Sequence, residues 1–86
     1  MALKRIQVGE RMSQVVVHGN TVYTAGQVAL EAPGESAADQ TRNILSRIDT
    51  LLAEAGTDKS KLISATIWLS DMSTFNEINE VWDAWV

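Results

Sequence analysis

The chain has 86 residues, 45% of them hydrophobic and 21% charged, with a formal net charge of −4. That length holds one domain, and fractions like these exclude an intrinsically disordered chain. Cysteine is absent, which excludes a disulfide scaffold, a thiolate metal site and a cysteine nucleophile together.

Residues 1–61 carry all seven Lys and Arg against seven Asp and Glu, whereas residues 62–86 carry Asp71, Glu77, Glu80 and Asp83 with no basic residue. Backbone phosphate binding needs a clustered positive footprint, and without one nucleic acid is not an expected partner. No apolar run approaches the roughly 18–20 residues that span a bilayer. Met1–Gln7 has two basic residues but no apolar stretch behind them, so it does not read as a signal peptide. The expected setting is the cytoplasm, with no membrane partner.

From Ile6 to Leu30 the chain reads as strands. Ser13–Val17 is rich in β-branched residues and runs into His18-Gly19-Asn20-Thr21, a turn between two apolar stretches. Val22–Ala25 continues as a further strand. Gly26 predicts a bulge or a close backbone approach, because glycine contributes no packing to a strand. Ser36 then opens a long helix, with Asp39 three residues on as a capping partner. Ile44, Leu45, Ile48, Leu51, Leu52 and Ala55 form one apolar stripe, and Gly56 supplies the stop.

Leu62–Leu69 (LISATIWL) is nearly continuous in apolar and β-branched residues, which predicts a strand covered on both faces and central in a sheet. A second helix starts at Asp71 or Ser73, with Phe75, Ile78, Trp82 and Trp85 along one side. The order is ββ(β)αβα, and a helix between two strands implies a right-handed crossover to a parallel neighbour. The second helix reaches Val86 still in phase and without Gly, Asn or Lys to close it. The pattern therefore predicts final strands beyond Val86.

The segment Asn20-Thr21-Val22-Tyr23-Thr24-Ala25-Gly26-Gln27-Val28-Ala29 resembles the glycine-containing strand of the Rid family, also called YjgF or L-PSP endoribonuclease-like. Gln40–Gly56 resembles that family's first helix, down to its Ala-Gly ending. Thr66–Asp71 followed by Phe75-Asn76-Glu77-Ile78-Asn79 resembles its central strand and the start of its second helix. The resemblance implies an α+β, chorismate-mutase-like fold with two helices on one face of the sheet. Residues 1–86 would form a single YjgF/Rid-type domain lacking the usual C-terminal strands. It further implies a homotrimer with ligand clefts between subunits, no metal or organic cofactor, and hydrolysis of reactive 2-imino and 2-enamino acids to 2-oxo acids and ammonia.

The family's carboxylate-binding arginine lies in a strand past the second helix. None of Arg5, Arg11, Arg42 and Arg47 matches it, so no catalytic residue is assigned. Ala25 stands where the deaminase pattern often has serine, and Met12 is the nearest match to a frequent tyrosine. Asn79 matches a pocket asparagine. The ligand-binding positions implied are Asn79, Gly26, Ala25 and Met12, for a small imino or oxo acid.

The residues themselves bear on these roles. Asn79 follows Phe75 by four and precedes Trp82 by three, so it shares the helix's apolar face, where a carboxamide must find partners or a ligand. Backbone beside Gly26 can present N–H groups to a carboxylate or a developing oxyanion. His18, the lone histidine, reads as a surface turn residue, and Glu77, Glu80 and Asp83 as a solvated helix face. Trp68 reads as core or interface, and Trp82 and Trp85 as core. Ser13, Ser64 and Ser70 lack a His and Asp at readable spacing, so no hydrolase triad is expected.

Hydration of a carbon–nitrogen double bond needs orientation and electrostatic help rather than a strong nucleophile, which suits such a chain. The alternative is a non-catalytic trimer that binds small carboxylates, and an endoribonuclease fits least. Val15, Val16 and Val17 are consecutive apolar residues, as are Ile67, Trp68 and Leu69, so both faces of those strands are apolar. Two helices cover one face, and a large exposed patch is rare on a monomer. The expectation is a homo-oligomer.

Overall fold

The structure, a computed structural model, describes residues 3–86. Three antiparallel strands, β1 (Lys4–Val8), β2 (Ser13–His18) and β3 (Thr21–Thr24), form a sheet in the order β1-β2-β3. Val15 of β2 lies opposite Ile6 on one side and Thr24 on the other. Placed at the centre of the sheet, Val15 is fully buried. The β2–β3 connection is the expected two-residue turn, with His18 paired to Thr21. Gly19, its first central residue, has φ 61°, the conformation a type II′ turn asks of that position.

Helix α1 (Ala37–Glu54) is capped as its sequence demands. The Ser36 hydroxyl accepts from the Asp39 N–H at 3.1 Å, satisfying one of the unpaired donors of the first turn. The Asp39 carboxylate does not complete the reciprocal box; it pairs with Arg42 one turn on. At the other end Gly56 N–H donates to the Ala53 carbonyl at 3.0 Å and Thr57 N–H to the Leu52 carbonyl at 2.9 Å. This is a Schellman motif, which requires a left-handed residue; Gly56 has φ 81°. Leu45, Leu51 and Leu52 of the expected stripe are buried.

Asp71 caps a single 3-10 turn, Met72–Thr74, that leads directly into α2 (Phe75–Trp85). The buried face of α2 is Ile78 and Val81, whereas Phe75 is exposed and Trp82 and Trp85 are half-buried. The expected stripe of Phe75, Ile78, Trp82 and Trp85 is thus rotated. Packing against α1 selects the Ile78/Val81 side of a short helix that is apolar on more than one side. The helices run parallel: Ala38 and Arg42 of α1 lie near Glu77, and Asp49 near Trp85. Trp85 donates its indole N–H to Asp49 at 2.9 Å, and the Lys59 ammonium both reaches the Trp85 carbonyl and stands 5.0 Å over its ring.

Two parallel helices oblige the chain to run back the length of α1 between them. Eighteen helical residues rise roughly 27 Å, a span that Leu62–Leu69 covers only when extended, at roughly 26 Å. Leu62 and Asp71, at its two ends, have extended backbone. The segment nevertheless belongs to no sheet among the described residues, which corrects the expected central strand. Ile63 is 88% exposed and Trp68 90% exposed, so Trp68 is not core in this chain.

The helix layer supplies the reason. α1 packs against β3 and α2 against α1, so the return segment is carried sideways by a helix spacing, roughly 8–10 Å. That is about twice the ~4.8 Å between paired strands, and the segment forms no ladder with β3. The crossover is present; the ladder it was expected to complete is not.

Candidate functional site

The antiparallel register brings the start of β2 and the end of β3 to one corner of the sheet. Ala25 continues the ladder by one residue, its N–H donating to the Gln14 carbonyl at 2.9 Å. Met12 precedes β2 there, 48% exposed, with its carbonyl accepting from Gly9 N–H at 2.7 Å. Gly26 follows Ala25, exposed. A side chain at Gly26 would meet no atom within 4 Å, and its φ is not in the left-handed range. The expected bulge or close approach is therefore not found within one copy of the chain.

Three of the four expected site residues, Met12, Ala25 and Gly26, thus share a corner. Asn79 does not join them. It is half-buried on α2 between buried Ile78 and exposed Glu80, on a helix whose main packing partner is α1. His18 is exposed at the turn, as expected.

The corner is fastened by side chains that sequence reasoning passed over. Gln27 donates to the Gln14 carboxamide at 2.8 Å and to the Ala25 carbonyl at 3.0 Å. Arg47 of α1 donates to the Gln27 carboxamide oxygen at 3.4 Å and to Glu31 at 3.3 Å. Asn43, one turn before Arg47, accepts from the Glu31 backbone N–H at 3.3 Å. Hydrogen bonds from Asn43 and from its own backbone N–H, then the charge of Arg47, hold the Glu31 carboxyl below its ordinary range. The strap after β3 is thereby tied to both β2 and α1. The only signal in the sequence was Gln27 itself, a carboxamide interrupting an apolar run beside a glycine.

Two clefts lie elsewhere, and none of Asn79, Gly26, Ala25 and Met12 lines either. One, about 400 Å³, runs between α1 and α2 and is lined by Arg42 together with Asp49, Glu77 and Glu80. That excess of carboxylates does not suit an anionic substrate. The other, about 360 Å³, is walled by Gln7, Asn43, Arg47 and Thr50. Its guanidinium is the one already engaged by Gln27 and Glu31. Among the described residues no group of three or more His, Asp or Glu is placed to hold a metal ion. No helix there is long and apolar enough to cross a membrane.

Comparison with known proteins identifies the fold's relatives. Residues 2–86 match the family described as Endoribonuclease L-PSP. A RutC family protein of Haemophilus influenzae is 41% identical over the whole chain, which spans 74% of that protein. The RutC family protein YoaB of Escherichia coli is 42% identical, again over the whole chain and 74% of its own length. In three dimensions, a YjgF family member from Neisseria meningitidis superposes with a TM-score of 0.94 at 40% identity, covering all of this chain and 71% of that one. The backbone arrangement of this chain is thus shared with that solved structure. With matches this extensive in both sequence and backbone, the chain belongs to the RutC/YjgF family of L-PSP endoribonuclease-like proteins.

Proposed function

We propose that this chain is an enamine/imine deaminase-like protein of the cytoplasm that acts on small 2-imino or 2-enamino acids at clefts formed between copies, as a homotrimer. In the reaction, water adds across the carbon–nitrogen double bond and the carbinolamine collapses, giving the 2-oxo acid and ammonia. The observation that carries the proposal is the Met12/Ala25/Gly26 corner. Its backbone is fixed by Gln27 while the space over Gly26 stays open. Such a strap can set N–H donors against a carboxylate or a developing charge without reorganising during the reaction. A second copy supplies the wall that the corner lacks, and Asn79 reaches a ligand only in such an assembly.

The test is semicarbazide capture of 2-iminopropanoate generated in situ. The protein should hasten loss of the imine and lower the semicarbazone yield; an unchanged yield with an assembled sample refutes the activity. A non-catalytic carboxylate-binding role is favoured by one feature, that Ala25 brings no hydroxyl to the corner while the backbone N–H groups there remain. Thermal stabilisation by 2-oxo acids without turnover selects that second reading.

A further inference from the structure

Gln27 is half-buried just past β3, and its carboxamide makes three hydrogen bonds. The two ends of a carboxamide are alike in shape and opposite in chemistry, since the nitrogen only donates and the oxygen only accepts. The neighbours therefore decide which end faces which. The Ala25 carbonyl, 3.0 Å away, is an acceptor and demands the nitrogen. The Arg47 Nε–H, 3.4 Å away, belongs to a guanidinium that has no acceptor to offer and demands the oxygen. With the sense so set, the Gln14 carboxamide presents its oxygen to the Gln27 nitrogen at 2.8 Å. Reversal would set oxygen against the Ala25 carbonyl and N–H against the guanidinium.

Arg47 is itself held. Its Nη1 donates to Glu31 at 3.3 Å, and the Glu31 backbone N–H donates to Asn43, one turn before Arg47 on α1. The guanidinium is thus aimed from a helix and steadied by the far end of the same strap. The effect reaches Gly26 through one peptide plane. A trans peptide points its C=O and N–H in opposite directions, and the Ala25–Gly26 bond is trans. With the Ala25 carbonyl drawn to Gln27, the Gly26 N–H is directed away from it. Among the described residues that N–H has no acceptor, and it belongs to a residue beside which the space is open.

We propose that Arg47 and Gln27 are positioning residues of this corner. Arg47 fixes the sense of the Gln27 carboxamide, and Gln27, through the Ala25 carbonyl, aims the Gly26 N–H at the carboxylate of a bound 2-imino or 2-oxo acid. Neither side chain touches the ligand. These roles rest on the reading of the corner as the ligand site, and they are the same whether the ligand is turned over or only bound.

The test separates aiming from fastening. A carboxylate is charged throughout the reaction, so a donor that holds it contributes uniform binding, and misdirecting that donor raises KM while kcat stays the same. Partial misfolding does the reverse, lowering the apparent kcat at unchanged KM. Gln27→Glu keeps the shape and gives Arg47 an ion pair, but sets an oxygen against the Ala25 carbonyl and the Gln14 oxygen. It should raise KM for 2-iminopropanoate generated in situ, and Kd for pyruvate by calorimetry, about tenfold. Arg47→Gln, which can offer either an acceptor or a donor, should do the same. Arg47→Lys remains a donor only, although without the fork that reaches Gln27 and Glu31 together, and should stay within about threefold of the parent. A parent chain that neither turns over the imine nor binds pyruvate overturns these roles together with the function they rest on. A parent that does either, with Gln27→Glu and Arg47→Gln within about twofold of it, overturns the positioning roles alone. So does an Arg47→Lys as impaired as Arg47→Gln, or a loss carried by kcat.

Discussion

Replacing Gly56 by alanine isolates the contribution of one backbone conformation. Gly56 holds φ 81°, and an added Cβ would meet no atom within 4 Å. No clash contributes, and the Thr57–Leu52 and Ala53–Gly56 hydrogen bonds need the same left-handed geometry whichever residue is present. The left-handed conformation costs an L-residue roughly 1–2 kcal/mol. Alanine's lower entropy in the unfolded chain offsets roughly 0.4–1 kcal/mol of that. The net loss should be about 1 kcal/mol. Unfolding 86 residues at about 2.1 cal/mol/K each gives an entropy near 0.18 kcal/mol/K. Gly56→Ala should therefore lower Tm by about 5–6 °C in a calorimetric or circular dichroism melt. Gly26→Ala is the matched control, since Gly26 has an open Cβ position and no left-handed φ; its Tm should stay within about 1–2 °C of the parent. Equal shifts for the two variants, or none for Gly56→Ala, would refute the assignment of the cost to the helix stop.

Three further outcomes follow from the same geometry. Val15→Ala removes two methyl groups from the only fully buried large side chain among the described residues and should cost about 2 kcal/mol by urea denaturation, with an unchanged m-value. Hydrogen bonds from the Ser73 N–H and hydroxyl lower the Asp71 pKa, and those from the Ser60 hydroxyl and N–H lower that of Asp58. Their folded values are depressed, so the caps stabilise the chain above the unfolded aspartate pKa of about 4. That stability is lost as pH falls through the lower folded values; carboxyl titration followed by NMR should give midpoints at both residues below that of an unstructured aspartate. Gln27→Ala leaves the Ala25 carbonyl and the Gln14 carboxamide without their shared donor, so amide exchange at Gly26 should rise several-fold while exchange in α1 stays the same.

Local chemistry made much of the fold legible. The glycine turn, the Ser36 cap, the Leu45/Leu51/Leu52 stripe and the Gly56 stop are all decided by residues within a few positions of one another. The misreadings share a different origin. Whether Leu62–Leu69 has a neighbour depends on where α2 settles beside α1, and LISATIWL has the same composition paired or unpaired. The phase of α2 was ambiguous because Phe75, Ile78, Val81, Trp82 and Trp85 offer two overlapping stripes, and only the surface of α1 chooses between them. At the site, Met12, Ala25 and Gly26 came together because one β register joins them. The Gln27, Arg47 and Glu31 ties span separations of 13, 20 and 16 residues, and polar pairs at such distances leave no periodic trace.

The parallel setting of α1 and α2 has an electrostatic consequence. Each helix carries a partial negative charge at its C-terminal end, and side by side these ends repel instead of cancelling. Neither helix has a basic residue in its last turn. Lys59, just beyond α1, brings its ammonium to the Trp85 carbonyl in the last turn of α2 and supplies a counter-charge there. Chemical acetylation of that amine would remove the counter-charge from the last turn of α2, which would fray more at low salt, where the repulsion is least screened.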